Sequence, residues 1–248
     1  MPPRAHRSLA LLTAAMLLVT IPMPVAAARP APPGPATLDW SGYTWTVKSY
    51  NRKIGPGPNF FAAENVSVDL ENDDLRLTIQ RSGSKWTTAE VIAKASLGYG
   101  TYTWTIRSAP DFDPNVVLGM FTWNDDPAYA HREIDIEYAR WGNPADPTNA
   151  QYTVQPWDSP DHDYRWAQGQ GLTNTIHSFT WAPGQVEFLS TMSDGLPIAS
   201  YTYRGADVPV PGGENPRINL WLFRGAAPTN GQPAVVIFDS FRFTPAGG

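Results

Sequence analysis

Residues 64–81, Glu64-Asn65-Val66-Ser67-Val68-Asp69-Leu70-Glu71-Asn72-Asp73-Asp74-Leu75-Arg76-Leu77-Thr78-Ile79-Gln80-Arg81, alternate apolar and polar side chains on both sides of a turn. Val66, Val68 and Leu70 form one apolar row, Asn72-Asp73-Asp74 supplies the turn, and Leu75, Leu77 and Ile79 resume the row. A period of two with polar punctuation predicts a β-hairpin with one buried and one solvated face. The same signal runs outward along the chain. Thr101–Arg107 places Tyr102, Trp104 and Ile106 on one side, and Val116–Trp123 is apolar almost throughout, as a strand covered on both faces is. Further strands are expected over Arg132–Tyr138, Ala150–Gln155, Ile176–Trp181, Gln185–Ser190, Ser200–Tyr203, Arg217–Phe223 and Val235–Phe243. Helical periodicity is nearly absent. More than ten short strands between Gly-, Pro-, Asn- and Asp-rich loops predict an all-β sandwich or jelly roll, with the topology left open by pattern alone.

Composition narrows the function classes. The 248 residues contain no cysteine, which excludes a disulfide framework, a thiolate metal site and a cysteine nucleophile. A formal charge of −5 without a basic block argues against nucleic acid as a partner. Residues 1–28 carry Arg4, His6 and Arg7, an apolar run from Leu9 to Val19, and Ala26-Ala27-Ala28, the pattern of a secretory signal peptide. The run is too short for a bilayer span of about 20 residues. Its removal takes two arginines and leaves an acidic, secreted chain with no membrane attachment. Residues 29–37 form a Pro-rich leader, and 38–248 form one domain. Ten tryptophans are the one compositional surplus.

One strand carries chemistry. In His131-Arg132-Glu133-Ile134-Asp135-Ile136-Glu137-Tyr138, Glu133, Asp135 and Glu137 share one face, and Ile134, Ile136 and Tyr138 the other. Like charges held close raise at least one pKa, a cost that folds accept most readily where a raised pKa is useful. A chance E-x-D-x-E is expected about 0.01 times per shuffled chain of this composition, so composition alone does not explain it. A calcium site or a solvated acidic strip would use the same residues. Two carboxyls flanking a bond, one protonated and one ionised, are the equipment of glycoside hydrolysis. Cα atoms four residues apart on a strand lie roughly 13 Å apart. Glutamates leaning inward across a concave sheet approach the ~5–5.5 Å of a retaining pair.

Glu133-Ile134-Asp135-Ile136-Glu137 resembles the signature of glycoside hydrolase family 16, whose members include licheninases, laminarinases and xyloglucan transglycosylases. The resemblance extends in order through Ala62–Ile79, Ala89-Glu90, Gly98–Tyr102, Thr175–Trp181 with Pro183-Gly184, Asp194-Gly195, Arg217–Trp221 and the last strand with Asp239, covering roughly residues 55–243. It implies a concanavalin A-like β-jelly-roll whose concave sheet forms a glycan cleft. It also implies Glu133 as nucleophile, Glu137 as general acid/base and Asp135 as the assisting residue. Glu90, Asn219 and Trp221 fall on positions that contact sugar, and Asp239 falls where many members place a ligand to a structural calcium ion; catalysis itself needs no cofactor. Two positions depart from the licheninase pattern. Ile92 stands where an arginine is usual, and His131 stands where an aromatic residue is frequent.

The remaining residues sort by chemistry. Sugar C–H faces pack on aromatic rings, which points to Trp123 and Trp141 as stacking subsites, with Trp157 and Trp166 as a cleft wall. Trp104 and Trp181 are expected in the core. Gln151, Thr153, Gln155 and Trp157 share a face, and Gln155 reaches sugar hydroxyls if its strand neighbours the carboxylate strand. The histidines show no metal-ligand spacing, and His177 is expected to make a buried structural hydrogen bond. The sequence therefore predicts a secreted, monomeric, retaining endo-β-glycanase acting on β-1,3- or mixed β-1,3/1,4-glucan. The rival readings are a non-catalytic glycan-binding module and a transglycosylase or galactanase of the same fold.

Overall fold

The computed structural model of the chain describes residues 36–169 and 171–247. The signal peptide assigned to residues 1–28 lies outside the described residues, as does the leader up to residue 35. Thr37, the leader's last residue, already opens the first strand. In chain order the strands are β1 (Thr37–Trp40), β2 (Tyr43–Val47), β3 (Phe60–Phe61), β4 (Val66–Asp69), β5 (Asp74–Ser82), β6 (Lys85–Ala93), β7 (Gly100–Ser108) and β8 (Val116–Trp123). They continue as β9 (Ile134–Tyr138), β10 (Ala150–Val154), β11 (Asp163–Trp166), β12 (Thr175–Ala182), β13 (Gln185–Met192), β14 (Pro197–Arg204), β15 (Asn215–Leu222) and β16 (Ala234–Pro245).

Two antiparallel sheets result. One runs β1-β2-β6-β15-β8-β9-β10-β11, the other β4-β5-β16-β7-β12-β13-β14, and the β5–β6 hairpin joins them. β3 alone pairs in parallel, with Thr87 and Thr88 of β6. The hairpin read from residues 64–81 pairs Val66 with Leu77 and Asp69 with Asp74. Leu70 is not in its apolar row. It sits in the turn, 93% exposed, because the chain reverses one residue earlier than the alternation suggests.

The inner faces of the sheets meet in one aromatic-rich core. Tyr152 of β10 stacks on Phe188 of β13 at 4.8 Å, and its hydroxyl donates to Ser190 Oγ at 2.6 Å. Trp104 and Trp181 are fully buried, as expected. Truncating a core aromatic to Ala typically costs about 3–5 kcal/mol, so such cross-sheet pairs hold the sandwich closed without disulfides. His177 is buried among Thr175, Ser190 and Tyr138, with ring nitrogens 2.8 Å from Ser190 Oγ and 2.9 Å from Thr175 Oγ1. Burial lowers its pKa to about 3, so it stays neutral and structural.

The tryptophan surplus divides between two tasks. Trp40, Trp45, Trp104 and Trp181 fill the core, and Trp86 and Trp166 pack against it half-buried. Trp166 is thus not a cleft wall: on β11 it follows the inward register of Tyr152 and Tyr164, 4.3 Å from the Tyr152 ring. Trp123, Trp141, Trp157 and Trp221 lie on the opposite face of the first sheet, where its outward residues line a groove.

Candidate active site

β9 is flanked by β8 and β10, with Glu137 opposite Gly119 and Gln151, and Asp135 opposite Phe121 and Thr153. Ile134, Ile136 and Tyr138 are buried in the core, so the period of two drives the carboxyls into the groove. The strand begins later than Arg132. Tyr129, Ala130, His131 and Arg132 all have positive φ, between 48° and 64°, a left-handed turn of four non-glycine residues. Each such residue costs of order 1–3 kcal/mol and persists only where its surroundings hold it. Arg132 provides that hold: its buried guanidinium donates to Val210 O at 3.0 Å and Asp126 Oδ2 at 3.2 Å. Thr122 Oγ1 donates to Arg132 O at 2.8 Å, and Ile134 N donates to Thr122 Oγ1 at 3.2 Å. Glu133 leaves this turn extended and enters the groove next to Asp135.

Electrostatics follow from the crowding. Asp135 is buried, and Glu133 and Glu137 expose only an edge to the groove. Burial first, then repulsion from Asp135 and Glu137, raises Glu133 well above the usual carboxyl range. Burial, Asp135 and Asp163 do the same to Glu137. Asp135 is pushed up to about 7 by burial, against the pull of a hydrogen bond from Gln155 Nε2 at 3.0 Å. Gln151 Nε2 donates to Glu137 Oε2 at 2.9 Å. Gln151 is fixed in turn, since its Oε1 accepts from Trp141 Nε1 at 2.8 Å and from Arg165. Arg165 also reaches Asp146 at 3.1 Å, and Thr153 Oγ1 donates to Asp163 at 2.9 Å. Three carboxyls with raised, interacting pKa values titrate as one unit.

A carboxyl whose folded pKa lies above its unfolded value stabilises the fold relative to high pH, and that contribution is lost as pH rises through the folded pKa. For Asp135 the window runs from 3.8 to about 7. Asp135→Asn is expected to flatten this slope: its denaturant midpoint falls less between pH 5 and pH 8 than that of the wild type. His177, lowered to about 3, slopes the opposite way below its unfolded pKa, but equally in both proteins. An unchanged midpoint difference contradicts the account.

The groove has two compartments that meet at Glu137. One, about 360 Å³, is lined by Glu133, Asp135, Glu90, Asn219, Trp123 and Trp221 among others. The second, about 570 Å³, includes Trp141, Gln151, Gln155, Trp157, Asp163 and Arg165. Gly119 opens the floor between β9 and β15: a Cβ there would meet Asn219 Oδ1 at 2.6 Å. Gly119→Ala is expected to displace buried Asn219, destabilise the fold by about 1–3 kcal/mol and lower any activity of the groove. Wild-type values for both unfolding midpoint and activity contradict this.

Of the residues singled out in the sequence, Glu133, Asp135, Glu137, Glu90, Trp123, Trp141, Gln155, Asn219 and Trp221 all come together here. Trp157, 65% exposed, stands at the outer rim of the larger compartment. Trp123 lies against His131, rings 4.2 Å apart and 6° from parallel, so the imidazole at the departing position still serves as a flat ring. Ile92 faces Arg217 across the β6–β15 ladder. Sequence reasoning missed Lys48, which donates to Glu90 Oε2 at 2.6 Å, and Asp163 and Arg165 of β11. Lys48 is 42 residues from its partner, a pairing that no local pattern carries.

Asp239 stands apart, on a bulge of β16 in the other sheet. Arg107 Nη2 lies 2.7 Å from its carboxylate and 3.0 Å from Asp74, so a guanidinium already stands where a cation would be held. Among the described residues no group of three acidic or histidine side chains is placed to hold a metal. The residues at Asp239 do not fit the calcium ion that the family resemblance implies.

No protein-family model matches the chain, and no curated protein does. Solved structures do. The β-glucanase of Bacillus licheniformis superposes with a TM-score of 0.60 over 82% of this chain and 92% of its own, at 21% identity. The fold is that of a bacterial β-glucanase. A glycoside hydrolase family 16 endo-glucanase from Bacteroides ovatus matches 81% of this chain and 94% of its own, with a TM-score of 0.59 and 17% identity. An immunostimulatory antigen and pseudo β-1,3-glucanase of Mycobacterium tuberculosis matches 82% of this chain and 91% of its own, at 0.61 and 24%. The all-β jelly-roll expectation is borne out.

Proposed function

We propose that the chain is a retaining endo-β-glycanase of the family 16 type, cleaving β-1,3- or mixed β-1,3/1,4-glucan by double displacement. The observation that carries this reading is the carboxyl triad at the junction of two sugar-sized compartments. A chain threading the groove places a glycosidic bond beside Glu137 with sugar units on both sides, which suits internal cleavage. Glucan cleavage is also what the names of several structural neighbours describe.

In the first step, ionised Glu133 attacks the anomeric carbon, and the bond to the leaving oxygen breaks as Glu137 gives that oxygen its proton. Esterified Glu133 carries no charge, so repulsion on Glu137 falls and its pKa drops. Glu137, now ionised, takes a proton from water as that water attacks the anomeric carbon and Glu133 leaves as carboxylate. Asp135, held by Gln155, buffers the charge between them. The N-terminal pattern supports action outside the cell, and we place the protein there as a monomer with polysaccharide as its partner.

The test is release of new reducing ends from laminarin, lichenan, xyloglucan and agarose. The reading expects release from laminarin or lichenan; release from xyloglucan or agarose alone moves the substrate class. Binding without release supports a non-catalytic glycan-binding module, a reading favoured by the likeness to a pseudo β-1,3-glucanase. Products longer than the starting oligosaccharide mark transglycosylation.

A further inference from the structure

We propose that Arg217 is a specificity-determining residue that contacts the sugar unit attacked by Glu133, donating from its two terminal nitrogens to that unit's hydroxyl oxygens. The inference rests on the reading of the groove as a glycan site. Arg217 lies on β15, opposite Ile92 of β6 and Phe121 of β8, and faces the 360 Å³ compartment two residues from Asn219. Its side chain is only 14% exposed. Burying a charge is costly unless its donors are satisfied. Yet among the described residues only Nε finds a hydrogen-bond partner, Asn215 Oδ1 at 3.1 Å. Glu90 Oε1 lies 3.7 Å from Nη1 and Asp125 Oδ1 lies 4.0 Å from Nη2, both beyond hydrogen-bond reach.

The guanidinium is nonetheless held in place. It lies 5.9 Å over the Trp123 ring, which His131 backs from the stack described above. Four N–H groups of a fixed, planar donor thus open into a cavity beside a carboxylate. Sugar hydroxyls are acceptors of the right kind, and Arg presents them a rigid fork that Lys does not.

The charge has a second effect. Glu133, just before β9, is faced by Asp135 and Glu137 of that strand and by Arg217 from β15; near them stand Glu90, Asp125 and His131. Lys48 is tied to Glu90, and Arg165 to Asp146 across the groove. Arg217 therefore supplies the positive charge that favours ionised Glu133.

Three proteins test this: the wild type, Arg217→Lys and Arg217→Met. Calorimetric binding of laminaritetraose and cellotetraose needs no turnover. Arg217→Met is expected to bind the preferred one roughly 10- to 100-fold more weakly, the effect of hydrogen bonds to a charged group. Equal affinity overturns the proposal, and so does a wild type that binds neither sugar. If the wild type also cleaves glucan, Arg217→Met is expected to move the acid limb of kcat/KM to higher pH. Arg217→Lys keeps the limb and loses binding. Packing alone moves no limb, and a limb unmoved in Arg217→Met overturns the charge effect. Wild type that binds but does not cleave, with weakened Arg217→Met, keeps the sugar contact of Arg217 and overturns the hydrolase reading together with the charge effect on Glu133. Thermal unfolding checks that both variants fold.

Discussion

Glu133→Gln is expected to lower turnover of a susceptible glucan by roughly four orders of magnitude or more, the scale on which removing a covalent nucleophile acts. The amide keeps the shape of the side chain but cannot form the glycosyl ester. Stability moves the other way. Glu133 is crowded by Asp135 and Glu137 and largely removed from water, so its charged form works against folding. The neutral amide removes that repulsion, and the unfolding midpoint at pH 7 should equal or exceed that of the wild type. A variant that folds and retains turnover within tenfold of wild type contradicts Glu133 as nucleophile.

Glu137→Ala is expected to reduce polysaccharide cleavage by about 10²- to 10⁴-fold, the usual contribution of a positioned general acid/base. The loss should depend on the leaving group. An aryl glycoside whose phenolate leaves unaided still esterifies Glu133, and the variant then stalls because water lacks its base. Azide needs no base, and the alanine leaves space beside the anomeric carbon at the meeting point of the two compartments. Azide attack there releases Glu133 as carboxylate and gives a β-glycosyl azide. Absence of rescue, or an α-azide, contradicts the assignment of Glu137 as acid/base opposite Glu133.

The strands were legible wherever one face is apolar and the other wet, as in residues 64–81 and 101–107, because the period of two is a local property. β9 was legible for the same reason, and with it the shared face of Glu133, Asp135 and Glu137. β6 was missed as a whole because Trp86-Thr87-Thr88-Ala89-Glu90-Val91 blurs the alternation, one of its outward residues being the buried Glu90. β11 was hidden in an Asp-rich stretch, and its four residues are too few for a period to declare itself. The left-handed turn at Tyr129–Arg132 uses no glycine, so nothing local marks it. Its support comes from Val210 and Thr122, brought near only by the fold. Lys48 and Arg217 illustrate the general limit: each is a single basic residue whose meaning lies in a neighbouring strand. The tryptophans marked the groove only in part, since six of the ten serve the core instead.

The central claim is a double displacement between Glu133 and Glu137, and the most direct measurement is a proton NMR time course of a soluble glucan during hydrolysis. The account predicts that the β-anomer of the new reducing end appears first, with the α-anomer growing only as mutarotation proceeds. First appearance of the α-anomer, or no new reducing end from any β-glucan, would contradict it.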